Sequence, residues 1–271
     1  MTPVIGSLHI YPVKSAAGIE LEQAELGPHG LRHDREWMIV DAAGRFVSQR
    51  EESRLARLRT AIRGGSLHLE HPAGAGMSLP LDHEGEGVQV QVWNSQCRAF
   101  DAGADATRFL SEWLGRPLRL VRFDTAQRRL SNPQWTGGLA VSTLFSDGYP
   151  LLVLSRASIA DLAARVGHEL PVERFRPNVL LDGVAAYAED AATQVVSSGI
   201  RLALTKACTR CVITTIDQHS GERTGDEPLR TLRSYRFDRE LRGVVFGRNA
   251  YALAGVGERL TRGAPVSIIA A

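Results

Sequence analysis

The chain has 271 residues, of which 44% are hydrophobic and 23% charged, and 32 Lys and Arg against 30 Asp and Glu leave a formal charge of +2. Such values sit near the globular average and exclude disordered, fibrous and low-complexity classes. No bulk field marks a nucleic-acid or membrane partner, so neither is expected, although a local basic pocket is still possible.

This length suits one large domain or two ordinary ones. Three cysteines, Cys97, Cys208 and Cys211, cannot all pair internally, which points to a reducing, cytoplasmic setting. Residues 1–15 lack a basic start, and His9, Tyr11 and Pro12 break their apolar run, unlike a signal peptide. Nowhere do 18 apolar residues run together, so no membrane-spanning helix is expected. Positive charge is almost entirely arginine, with Lys14 and Lys206 the only lysines.

Taken in order, residues 4–13, 36–41, 45–49, 66–70 and 88–93 read as short strands, separated by turn signals such as Gly27-Pro28, Ala43-Gly44 and Gly64-Gly65. Val88 to Trp93 alternates apolar and polar as a half-buried strand does. Thr107–Leu114 places Phe109, Leu110, Trp113 and Leu114 on one helical face, with Gly115 as a stop. An antiparallel β-unit closed by a helix is therefore predicted for the first part of the chain. Residues 124–137 are polar and aperiodic and read as a linker, which divides the chain into domains at 1–123 and 124–271.

Leu151–Leu154 then reads as a buried strand, and Ser155–Val166 as a helix with Ile159, Leu162, Ala163 and Val166 inward and Gly167 at its end. Strands are predicted near 178–182, 193–197, 200–205 and 211–216. Glu227-Pro228 opens a helix whose inner face carries Leu229, Leu232 and Tyr235. Ala250–Ala254 and Pro265–Ile269 read as final strands.

The sharpest local motif is Cys208-Thr209-Arg210-Cys211, followed by Val212-Ile213-Thr214-Thr215-Ile216-Asp217. A zinc site would need four ligands, with His219 and Cys97 the available completions. A redox dithiol would need a helix N-terminus to activate a thiol, whereas the β-branched residues that follow read as extended. The third possibility is a thiolate that binds one soft metal centre while basic groups, Arg210 among them, hold an anionic cofactor.

This motif, with Ser220-Gly221-Glu222 and Glu227-Pro228-Leu229 through Tyr235-Arg236, closely resembles the MOSC domain. Ile10-Tyr11-Pro12-Val13-Lys14-Ser15, Gly30-Leu31 and Asp34-Arg35 with Trp37 resemble the β-barrel domain that precedes MOSC in the amidoxime-reducing component family and its bacterial relatives. Arg174-Phe175-Arg176-Pro177-Asn178 fits the same pattern. The resemblance implies a mainly β, α+β chain in which an N-terminal β-barrel-like domain precedes a MOSC β-barrel domain.

It further implies a molybdenum cofactor, with Cys211 as the thiolate ligand to molybdenum beside a pterin dithiolene, and Cys208 as a packed structural thiol. Lys14, Ser15, Arg35, Arg176, Asn178 and Arg210 are the matching positions for holding the polyanionic pterin phosphate. Asp147 would sit near the metal as a proton relay. Pyridoxal phosphate binding is a further family-style expectation; no zinc and no internal iron–sulfur cluster are expected, since the spaced cysteines of a plant-type ferredoxin domain are missing. The implied activity is reduction of small N-hydroxylated compounds, with electrons from a separate ferredoxin-, flavin- or cytochrome-type donor. A cofactor or sulfur carrier with a persulfide on Cys211 is the alternative, and a cofactor-free dithiol oxidoreductase a third. Cys97 reads as a buried thiol, and Trp37, Trp93, Trp113 and Trp135 as core or loop-packing aromatics.

Overall fold

Alternating and β-branched segments make strands the main element of the computed structural model, which describes residues 2–270. β1 (Val4–Ile10) is buried from Ile5 onward, and β2 (Ile19–Leu21) turns back against it. β3 (Trp37–Val40), β4 (Gly87–Val92), β5 (Ser95–Asp101) and β6 (Arg119–Phe123) form an antiparallel sheet in the order β3-β6-β5-β4. Between β5 and β6, α1 (Ala104–Leu114) packs Ala106, Phe109, Leu110 and Leu114 onto a core with Trp37, Ile39, Leu55 and Leu120. Gly115 ends it in the left-handed conformation that the stop signal required.

In the second half β7 (Leu151–Ser155) is buried throughout, and the Ser155 hydroxyl caps α2 (Arg156–Val166) by accepting the Ser158 N–H at 3.0 Å. This helix carries the chain over to β8 (Val179–Asp182), which runs parallel to β7. β9 (Ala192–Ser197) and β10 (Ile200–Thr209) form a hairpin, α3 (Leu229–Tyr235) starts just after Pro228, and β11 (Gly243–Ala254) and β12 (Ser267–Ala270) follow.

The largest sheet has the order β2-β1-β8-β7-β11-β10-β9-β12, with residues 237–238 paired beside β11. Side chains alternate between two cores: Leu8, Val153, Val179 and Leu181 pack on one face, and Leu154, Leu180 and Phe246 lie on the other beneath α2 and α3. β1, from the N-terminal half, lies inside this sheet with Leu8 opposite Val179. Its end therefore meets the beginnings of β7 and β8, which brings residues 11–15, 146–150 and 176–178 to one edge.

Three sequence expectations are corrected. Residues 45–49 make only isolated bridges, Arg45 with Gln91 and Phe46 with Val40. The 124–137 segment is not wholly irregular, because Arg129–Leu130 pairs with Ser142–Thr143 and Pro133–Trp135 forms a 3-10 turn. The extended segment expected at 211–216 is a short 3-10 helix, Val212–Thr215. Here Thr214 Oγ1 donates to the Cys211 carbonyl at 3.0 Å and Thr215 Oγ1 to that of Val212 at 2.7 Å, so the threonine hydroxyls favour a turn over their β propensity.

Candidate functional site

At that edge an open pocket of roughly 860 Å³, mouth included, lies between the two halves of the chain. Lys14, Ser15, Arg35, Asp147, Arg176, Asn178, Arg210 and Cys211 all line it, although 197 residues separate the first from the last.

One wall is cationic. Arg35 Nη1 donates to both Asp34 oxygens at 2.7 and 2.6 Å and to Asn178 Oδ1 at 3.2 Å, while Nη2 donates to the Arg176 carbonyl at 3.3 Å. Arg176 Nη1 donates to the Ala16 carbonyl at 2.6 Å, which leaves Nη2 buried without a protein partner. Both guanidinium groups lie over the Tyr11 ring, at 4.3 and 4.1 Å from its centroid. Burial and then the neighbouring Arg35 charge lower Arg176 to about 10. Two cations held this close, one with an unpaired N–H, form an electrostatic seat for an anion.

Ser15, Arg35 and Arg176 all take left-handed backbone, with φ of 69°, 51° and 55°. Side-chain-bearing residues rarely do so, and the clustering of three around one pocket marks stored strain at a site. Asn178 has a different place. Its Oδ1 accepts from the Leu152 N–H at 3.1 Å as well as from Arg35, and its Nδ2 donates to the His9 carbonyl at 3.1 Å. It is a buried brace that fixes Arg35 between β1 and β7.

The facing wall is the end of β10, whose pairing with β11 shifts register between Leu204 and Ala207 and again before Thr209. Such bulges bend a strand and redirect its side chains. Arg210 Nη2 donates to the Phe175 carbonyl at 2.7 Å and Nη1 to Cys208 Sγ at 3.1 Å, while Nε is buried without a partner. Cys208 is thus a pocket-lining thiol that helps hold Arg210, which corrects its reading as a packed structural residue. Cys211 is partly exposed at the N-cap of the 3-10 helix. Cys97 is buried in the N-terminal half as expected.

Lys14 and Asp147 form the mouth. Lys14 Nζ donates to the Phe145 carbonyl at 2.8 Å and to Asp147 Oδ1 at 2.6 Å. Burial pulls the ammonium below its ordinary value, with Asp147 opposing. Crowding alone would raise the Asp147 carboxyl, but the Lys14 charge and hydrogen bond, helped by Trp93, outweigh it and hold the group well below the usual carboxylate range. Trp93 Nε1 donates to the same Oδ1 at 3.0 Å, and the Arg50 guanidinium lies 4.7 Å from the Trp93 ring centroid. Trp93, expected as a core or loop-packing aromatic, packs on Phe46 in the loop beside Asp147, and neither it nor Arg50 was marked as a site residue by the sequence.

Fold and pocket together define a two-part β protein with an arginine-walled, thiol-bearing site between its parts. Residues 2–117 match the MOSC N-terminal beta barrel domain, and residues 141–266 the MOSC domain. The chain is 32% identical over 253 residues to mitochondrial amidoxime-reducing component 1 of Mus musculus, covering 90% of this chain and 74% of the relative. Identity to the Homo sapiens component 1 is 32% over 242 residues, covering 86% and 72%. For component 2 of Rattus norvegicus it is 29% over 243 residues, covering 86% and 72%. The chain belongs to the MOSC-domain family that includes the amidoxime-reducing components. Among the described residues no helix is long and apolar enough to cross a membrane.

Proposed function

We propose that this protein is a molybdenum-cofactor-dependent reductase of N-hydroxylated compounds (amidoximes, hydroxylamines and N-hydroxylated bases) that takes electrons from a separate ferredoxin-, flavin- or cytochrome-type protein. The observation that carries this reading is one pocket joining a partly exposed thiol, Cys211, to two buried and unpartnered arginine nitrogens, Arg176 Nη2 and Arg210 Nε. Those nitrogens suit the phosphate of a pterin, and the thiol suits a soft metal. No group of three or more His, Cys, Asp or Glu side chains among the described residues could hold a metal ion, so a metal bound through Cys211 would draw its other donors from its own organic ligand. The residues present fit a pterin-dithiolene metal group.

In this reading Cys211 ligates the metal, Arg176 and Arg210 hold the anionic end, and Arg35 adds charge from behind. Ser15, on its left-handed backbone, offers a further contact. When bound, such a group would supply two-electron redox chemistry at the N–OH bond. Converting R–NOH to R–NH and water consumes two electrons and two protons. Because Lys14 keeps Asp147 ionised, that carboxylate accepts a hydrogen bond from the substrate hydroxyl and orients it, receiving a proton only in passage. Tyr149, also on the pocket wall and raised by burial to about 12, stays a hydrogen-bond donor. Pyridoxal phosphate is not part of the proposal, since the one lysine on the pocket wall, Lys14, is engaged by Asp147 and Phe145. Three unpaired cysteines fit a reducing, cytoplasmic setting.

The test is molybdenum by elemental mass spectrometry and pterin by fluorescence after oxidation, on protein from a cofactor-competent host, followed by benzamidoxime turnover with reduced methyl viologen. Near-stoichiometric metal with turnover supports the reductase. Metal and pterin without turnover favour the carrier with a persulfide on Cys211, and absence of both overturns the proposal.

A further inference from the structure

Charge is nearly balanced over the whole chain, but not over residues 229–242, where five arginines, Arg230, Arg233, Arg236, Arg239 and Arg242, stand against Asp238 and Glu240. Arg230 is tied to Glu227 at 2.7 Å and Arg236 to Asp190 at 2.6 Å. Arg233, Arg239 and Arg242 are exposed, and among the described residues none of them has a carboxylate within ion-pair distance. Phe237 stands among these free cations and is 52% exposed. The turn that carries Arg239 and Arg242 is preset, because Asp238 Oδ1 accepts the Leu241 N–H at 2.8 Å and Arg242 takes left-handed backbone at φ 51°.

This patch lies directly behind the thiol. Phe237 pairs with Val244 of β11, the Val244 carbonyl accepts the Arg210 N–H at 2.7 Å, and Val245 pairs with Thr209 at the end of β10. Patch, β11 and pocket wall are thus successive strands, which sets the Phe237 backbone about 10 Å from that of Thr209. α3, which carries Arg233, packs against the 3-10 helix that Cys211 caps. The elements that hold the thiol therefore also carry the unpaired arginines.

We propose that Phe237 with Arg233, Arg239 and Arg242 is the docking surface for an acidic one-electron carrier protein, an inference that rests on the reductase reading and says where, and by which charge, the donor binds. An exposed aromatic ringed by arginines has the composition of a protein contact, and a patch this small suits the brief encounters of redox partners. Unpaired cations steer an acidic face toward it and speed the encounter. Each conversion of R–NOH to R–NH and water takes two protons from solvent and oxidises two reduced carriers by one electron each. An anionic lipid surface would meet the same charge, but the position of the patch on the supports of Cys211 favours a redox protein.

The experiment measures benzamidoxime reduction by the holoenzyme with reduced plant-type ferredoxin and with reduced flavodoxin, both acidic carriers, and separately with reduced methyl viologen, a small dye that needs no docking surface. It compares the wild type with the combined Arg233→Glu, Arg239→Glu and Arg242→Glu variant, with Phe237→Ser, and with a control carrying Arg59→Glu, Arg63→Glu and Arg108→Glu on the N-terminal half; metal content and near-ultraviolet circular dichroism confirm loading and folding. The first variant is expected to lose at least about 10-fold in kcat/KM for the protein carrier at low ionic strength, with the viologen rate unchanged. Added salt should slow the wild type with the carrier and leave that variant flat. Phe237→Ser should raise the KM for the carrier several-fold, and the control should match the wild type. Carrier rates equal to wild type in the first variant, an equal loss in the control or with viologen, or a wild type that runs on viologen and on neither acidic carrier overturns this inference alone. Loss of binding to phosphatidylserine vesicles at unchanged carrier rates overturns it in favour of a lipid surface. A loaded wild type that is inactive even with viologen overturns it together with the reductase reading.

Discussion

Lys14 Nζ lies 2.6 Å from Asp147 Oδ1 and joins two segments 133 residues apart in the chain. The folded carboxyl sits below its ordinary 3.8, so the ionised pair stabilises the native state above about that pH, and this contribution is lost as pH falls through the lower folded value. The difference in Tm between wild type and Asp147→Asn should therefore be constant from pH 7 to pH 5 and narrow progressively below pH 4 in calorimetry. Added salt should shrink it, because the Asp147 side chain is largely exposed. A gap unchanged down to pH 3 would count against the pairing.

The two thiols of the Cys208–Cys211 motif should separate in a metal assay. Cys211→Ala is expected to abolish molybdenum retention. Cys208→Ala removes one partner of Arg210 but leaves its bond to Phe175, so more than half of the metal should remain. Equal loss in both variants, with native circular dichroism, would overturn the ligand assignment.

Arg176→Ala removes the unpartnered Nη2, and it also removes a cation that burial and Arg35 already disfavour. Cofactor retention should fall several-fold while circular dichroism stays native. Full metal content in this variant would move the anion seat elsewhere.

Asn178→Ala should behave differently, as a stability variant. It removes two accepted hydrogen bonds and one donated bond from a side chain that is 1% exposed. Urea unfolding should show a loss of about 2–4 kcal/mol, from the bonds themselves and the buried groups left unsatisfied.

Gly30 has φ of 108°, and a Cβ there would meet the Pro150 carbonyl oxygen at 2.6 Å. Gly30→Ala should destabilise by about 1–3 kcal/mol through strain and contact. It should also displace the 146–150 loop, which metal content would report as weaker retention.

Much of the architecture is legible in short words of sequence. Ser155 and Gly167 bracket α2, Gly115 closes α1, and the alternation of Val88, Val90 and Val92 marks β4. β5 escapes notice because its alternation is thin, with only Cys97 and Ala99 buried among polar neighbours, and it is defined by pairing with β4. The eight candidate residues sit in distinctive local motifs, which is why they could be singled out before the pocket that unites them was visible. Trp93 and Arg50 have no such motif, since their position depends on where a hairpin tip falls against Asp147. The left-handed backbones of Ser15, Arg35 and Arg176 are equally invisible, because arginine and serine give no propensity signal for positive φ.

β1 has consequences for the nascent chain. Its partner β8 is complete only at Asp182, so Val4–Ile10 must wait for some 172 further residues to be made, on the order of ten seconds or more at ribosomal rates. During that time an apolar strand has an unpaired edge, a template for association with other chains. The pocket cannot exist until β10 and the Cys208–Cys211 turn have also been made, so any ligand must wait for about two hundred residues of chain before its seat is built.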